Sequence, residues 1–87
     1  MTREGILTAA LNCVNGQRDE TYGSPEDNFN TVAAMWEAYL GMELRAKDVA
    51  AMMALVKIAR ISTGKSTDDN WVDLAGYAAC GGEVDSL

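Results

Sequence analysis

The chain has 87 residues, 48% of them hydrophobic, and a formal charge of −6 with no His and two Cys. That length admits one domain, residues 1–87, whose core alone gives marginal stability. So acidic a chain is a poor binder of nucleic acid, and without His it builds neither a Cys/His zinc set nor a His-based triad.

Five Met and two Trp are more apolar bulk than a small core hides, so self-association through apolar helix faces is expected. One Pro and little period-2 alternation point to an all-α, four-helix bundle-like fold. Neither a signal peptide nor an apolar run of about 18 residues is present, so a cytoplasmic protein without a membrane span is expected. Cys13 and Cys80 lack metal spacing and read as reduced thiols.

Charge is segregated along the chain. Residues 1–44 carry −5, residues 45–65 carry +4 and residues 66–87 carry −5. A basic segment between two acidic ones serves internal ion pairing or holds an anion such as phosphate.

Thr2 is the expected cap of a first helix, with Ile6, Leu7, Ala10, Leu11 and Val14 as its apolar stripe. Gln17–Gly23 is a polar loop. Ser24-Pro25-Glu26-Asp27 then starts a second helix, with Ser24 as cap, Pro25 in the first position and Asp27 closing a capping-box-like arrangement. Phe29, Val32, Ala33, Trp36, Tyr39 and Leu40 mark one face, and Gly41 is the stop. A helix start favours an anion. Beside it Arg18 offers a fork of donors, Tyr22 a stacking ring, and Asn28 an amide able to read a base or ribose. Surface pairing of Arg18 with Asp19 or Glu20 is the competing use.

The third helix is expected to begin between Leu44 and Asp48 and to reach about Ile61. Val49, Met52, Met53, Val56 and Ala59 form its buried stripe. So few positions from Val49 to Leu55 are polar that the helix should be covered on most sides, by a second subunit among others. Lys57 and Arg60 near its end either complement the helix dipole or face the next helix across a pocket.

The fourth helix starts at Thr67 or Asp68, and Gly81-Gly82 ends it before a frayed acidic tail. Asp69, Asp73 and Tyr77 recur at i, i+4 and i+8 on one face, with Asn70 beside Asp73. Trp71, Leu74 and Ala78 take the other side. Carboxylates four apart repel, which suggests a cation, a basic side chain or a ligand between them. Gly76, in mid-helix, is expected to permit a close approach.

The blocks Arg18-Asp-Glu-Thr-Tyr22-Gly23-Ser-Pro-Glu-Asp-Asn28-Phe29, Asp48-Val-Ala-Ala-Met-Met, Lys57-Ile-Ala-Arg60 and Asp69-Asn70-Trp71-Val-Asp73-Leu-Ala-Gly76-Tyr77 resemble a family of short phage and prophage proteins. The resemblance runs from about residue 3 to residue 83, and it implies no particular activity. A more distant likeness is to the MazG-like all-α nucleoside triphosphate pyrophosphatases. It implies a four-helix unit that forms dimers or tetramers and holds Mg²⁺ on Glu-x-x-Glu and Glu-x-x-Asp motifs. Asn70-Trp-Val-Asp73 matches the second motif with Asn in place of its first acid, which makes Asp73 the candidate metal ligand. Asp48 alone stands for the first motif, because Ala51 and Met52 are apolar.

With two of four ligands matched, no residue is assigned as catalytic, and binding is expected rather than hydrolysis. The expected ligand is a nucleotide or other phosphate-bearing small molecule. It would be held by Arg18, Tyr22, Asn28, Lys57, Arg60, Asp69, Asn70, Trp71, Asp73 and Tyr77 in a homo-oligomer in the host cytoplasm. Two alternatives follow from the resemblances. One is a Mg²⁺-dependent pyrophosphohydrolase. The other is an inhibitor of a host defence protein, acting by sequestering a nucleotide signal or by covering a nucleic-acid-binding nuclease with an acidic surface.

Overall fold

The computed structural model describes residues 1–15, 23–65 and 67–87, and these form an all-α domain. Its helices are α1 (Arg3–Val14), α2 (Pro25–Leu40), α3 (Ala46–Thr63) and α4 (Asp68–Asp85).

Local chemistry sets the helix ends. Thr2 Oγ1 accepts the Gly5 N–H at 3.0 Å and starts α1. Ser24 Oγ accepts the Asp27 N–H at 3.2 Å and starts α2, with Pro25 in its first turn. Gly41 stops α2 at φ 72°, a left-handed conformation that a side chain resists. The link that follows is pinned when Glu37 Oε1 accepts the Leu44 N–H at 2.7 Å. Asp48 Oδ2 then accepts the Arg45 N–H at 2.8 Å at the start of α3. Ser24→Ala is expected to cost about 1 kcal/mol in chemical denaturation, because it strips α2 of its side-chain cap.

α4 is the organising helix. It packs along α3 and also against α1, while α2 lies mainly on α3 and touches α4 little. The core is built from Phe29, Ala33, Val49, Ala50 and Val84, with Trp36, Met53 and Tyr77 packed around it.

The packing corrects several expectations. On α1 the inward positions are Ile6, Ala10 and Val14, spaced i, i+4 and i+8, while Leu7 and Leu11 are exposed. On α3 the buried side chains are Val49, Ala50 and Lys57, while Val56 and Ala59 are exposed. The inward stripe is therefore turned away from the Val56–Ala59 side, and a lysine occupies a core position. On α4 it is Val72 and Val84 that are buried, while Trp71 and Ala78 are exposed.

Nor does α4 end at Gly81-Gly82. It runs on to Asp85, and Val84 in its last turn belongs to the core, so the tail is tied down rather than frayed. Lys47 and Asp85 add an ion pair at 3.6 Å. Gly81 has a different job from the one expected. A Cβ placed there would lie 2.9 Å from Ala50 Cβ, so glycine allows the backbones of α3 and α4 to meet.

Candidate functional site

Where the end of α1, the start of α2, the second half of α3 and the middle of α4 converge, they enclose a cavity of about 300 Å³. α4 supplies one wall. Val72, Asp73, Gly76, Tyr77 and Cys80 recur at i, i+1, i+4, i+5 and i+8, the spacing of a single helical face. Asn28 and Phe29 come from the first two turns of α2, Cys13 and Val14 from the end of α1, and Lys57 from α3.

The electrostatic centre of the cavity is one ion pair. Lys57 Nζ stands 3.0 Å from Asp73 Oδ2. The Lys57 side chain is only 11% exposed, whereas the Asp73 side chain keeps 43% of its surface. Burying an ammonium is costly unless a partner compensates it, so Asp73 is what makes the position of Lys57 tolerable. Every buried side-chain polar atom among the described residues has a hydrogen-bond partner.

Beside the pair lies an aromatic surface, with the Phe29 and Tyr77 rings stacked at 6.3 Å between centroids and 29° between planes. Cys13 and Cys80 both line the cavity, and neither forms a disulfide. The site thus offers a shared cation and carboxylate, an amide, a phenol, two thiols and an apolar floor. Flat ligands with one polar end suit such a lining.

Four of the sequence-predicted residues, Asn28, Lys57, Asp73 and Tyr77, come together on this lining. Arg60, Asp69, Asn70 and Trp71 are not on it: Arg60, Asp69 and Trp71 are exposed and Asn70 is half-buried. Asp69 sits a full turn before Asp73, nearer the helix start than the first lining residue, Val72. Arg18 and Tyr22 lie outside the described residues. Phe29 and the two cysteines were not anticipated as lining, whereas Gly76 was expected to permit a close approach and does line the cavity. The i+4 and i+8 positions counted from Val72 could have indicated Gly76 and Cys80.

The start of α2 has little to give an anion. Pro25 has no N–H, the Asp27 N–H is taken by Ser24 Oγ, and the Asn28 N–H by the Ser24 carbonyl at 3.0 Å. Nor does the donor set match a divalent ion. Among the described residues no three His, Cys, Asp or Glu side chains converge, Asp73 is held by Lys57, and Asp48 caps α3.

Fold and site together define a small all-α unit around one mixed polar and apolar cavity. The chain belongs to the family described as "Domain of unknown function (DUF6378)", whose model matches residues 5–85. It is similar to the Gene 55 protein of Mycobacterium phage L5, 46% identical over 74 residues, which are 84% of this chain and 47% of that protein. The Gene 55 protein of Mycobacterium phage D29 is 40% identical over 77 residues, 88% of this chain and 51% of that protein. The expected kinship with phage proteins is thereby established, and the chain spans about half the length of these curated relatives. No solved structure matches it significantly. Among the described residues, no helix is long and apolar enough to cross a membrane.

Proposed function

We propose that this chain binds a nucleotide, or a related phosphate-bearing small molecule, in the cavity on α4, and that it acts by binding rather than by hydrolysis. The observation that carries the reading is the pairing of buried Lys57 with half-exposed Asp73, set beside the Phe29–Tyr77 stack on the cavity lining. Asp73 has access to water and can swing outward, leaving the Lys57 ammonium to a ligand oxygen. The aromatic surface then takes a base and the Asn28 amide reads its edge.

Charge narrows the ligand. Lys57 is the one cation among the described lining residues, and it already has a carboxylate beside it. A single phosphate is better matched than a triphosphate. Binding without turnover would suffice for a protein that sequesters a nucleotide signal from a host defence system.

The test is a thermal-shift panel of nucleoside mono-, di- and triphosphates and cyclic nucleotides, with and without Mg²⁺. A ligand at about 100 times its dissociation constant adds roughly 2.7 kcal/mol. In a domain of this size that raises Tm by roughly 10–20 °C. The expected result is a shift that is largest with a monophosphate, independent of Mg²⁺ and lost in Lys57→Met. No shift with any nucleotide would overturn the reading. Release of pyrophosphate from a triphosphate, abolished by Asp73→Ala, would favour a MazG-like hydrolase instead.

A further inference from the structure

The two thiols on the cavity lining have no part in the binding reading above. Cys13 stands in the last turn of α1 and Cys80 on α4, and neither is in a disulfide. Helix packing brings them to one cavity. Val14 Cγ1 lies 3.7 Å from where a Cβ on Gly76 would be, so the last turn of α1 rests on that glycine. Cys13 immediately precedes Val14, and Cys80 follows Gly76 by one turn on the same face of α4. The two cysteines therefore flank a single contact between helices that are far apart in sequence.

They differ in access. Cys13 is exposed, so an oxidant in solution reaches it, whereas Cys80 is half-buried. An accessible thiol with a second thiol near it is the arrangement in which oxidation ends as a disulfide. A bridge needs the two Cα atoms within about 7 Å, and α1 is the helix able to adjust. Its one buried residue is Ala10, it packs mainly on α4, and it shows Leu7 and Leu11 to solvent.

We propose that Cys13 and Cys80 are a peroxide-sensitive pair whose disulfide fixes α1 on α4 and closes the cavity between them. The Cys13 thiolate attacks one peroxide oxygen and the O–O bond breaks, giving a sulfenic acid and one water. Cys80 then attacks the Cys13 sulfur, the S–O bond breaks, and the hydroxyl leaves as a second water with the Cys80 proton. Two thiols have lost two electrons and two protons, and the peroxide has been reduced to water. The bridge stands by itself, while its effect on a ligand rests on the nucleotide-binding reading above.

The test is hydrogen peroxide treatment of the dilute whole chain, followed by tryptic mass spectrometry without reductant. Cleavage after Arg3, Arg18 and Lys65 leaves Cys13 and Cys80 on separate peptides. A bridge then shows as a linked pair that a reductant releases. It should form at least about tenfold faster in native protein than in concentrated urea, where a long loop must close first. The oxidised protein should gain roughly 10 °C or more in Tm, a gain that Cys13→Ser and Cys80→Ser each abolish. Its nucleotide-induced thermal shift should disappear and return on reduction.

Sulfenic or sulfinic acid without a linked pair, linkage only between chains, or a bridge no faster than in urea would overturn the proposal. A bridged protein that still gives the nucleotide shift would overturn closure of the cavity. If the reduced protein responds to no nucleotide, the binding reading fails, and the linked peptides still decide whether the pair exists.

Discussion

Gly81→Val is expected to lower the unfolding free energy by about 3 kcal/mol. The added Cβ alone would stand 2.9 Å from Ala50 Cβ, and both atoms are fixed to helix backbones that cannot step aside as a flexible side chain would. Gly81→Ala separates the two terms involved. Alanine gains up to about 1 kcal/mol of helix propensity, while overpacking between two fixed backbones costs about 2–3 kcal/mol, at the upper end of the usual range, so a net loss remains. One residue further on, the sign reverses. A Cβ at Gly82 meets nothing within 4 Å, so Gly82→Ala should stabilise the protein by up to about 1 kcal/mol. Urea denaturation of the three variants checks this. A neutral Gly81→Ala would mean that α3 and α4 do not need their close contact.

The second large effect concerns the cavity wall. Asp73→Ala leaves the Lys57 ammonium buried with no carboxylate. Breaking a fully buried pair costs about 3–5 kcal/mol, and the partial exposure of Asp73 places this one lower, at about 2 kcal/mol. Lys57→Met removes the charge yet keeps most of the volume, and should cost less than about 1 kcal/mol. The double variant should recover most of what Asp73→Ala loses, and a double-mutant cycle measures the coupling directly. If Lys57→Met proves as costly as Asp73→Ala, the pair is a source of net stability, and a ligand would gain little by displacing Asp73.

The element order was legible because it depends on local chemistry. Ser24-Pro25 and Gly41 act within one turn of themselves, and both ends of α2 fall where those residues put them. Thr2 and the link around Leu44 did the same for α1 and α3. The phase of α3 was not legible. A run such as Val49–Val56, apolar throughout, has no periodicity from which to choose a face, so the stripe through Val56 and Ala59 fitted as well as the true one through Val49 and Lys57. Lys57 near a helix end suited the dipole, and only the packing of α4 turns it into a buried ion-pair partner. At Gly81-Gly82 a local stop signal lost to a tertiary contact.

The candidate site was half legible for a related reason. Periodicity places Asp73 and Tyr77 on one face of α4 and extends that face back to Asp69. Which turns of the face are enclosed depends on where α1 crosses and where α2 begins, and neither is written in the spacing. Asn28 was singled out for its amide, and the structure adds Phe29 beside it as the ring that stacks on Tyr77.

The central claim is that the cavity on α4 receives a small phosphate-bearing ligand. Amide chemical-shift mapping during titration with a nucleoside monophosphate tests it most directly, because it reports place as well as binding. The account predicts saturable shifts concentrated at Asn28, Phe29, Lys57, Asp73, Gly76 and Tyr77. Shifts concentrated instead around Asn30, Lys47 and Val84, which line a separate hollow, or no shifts at all, would contradict it.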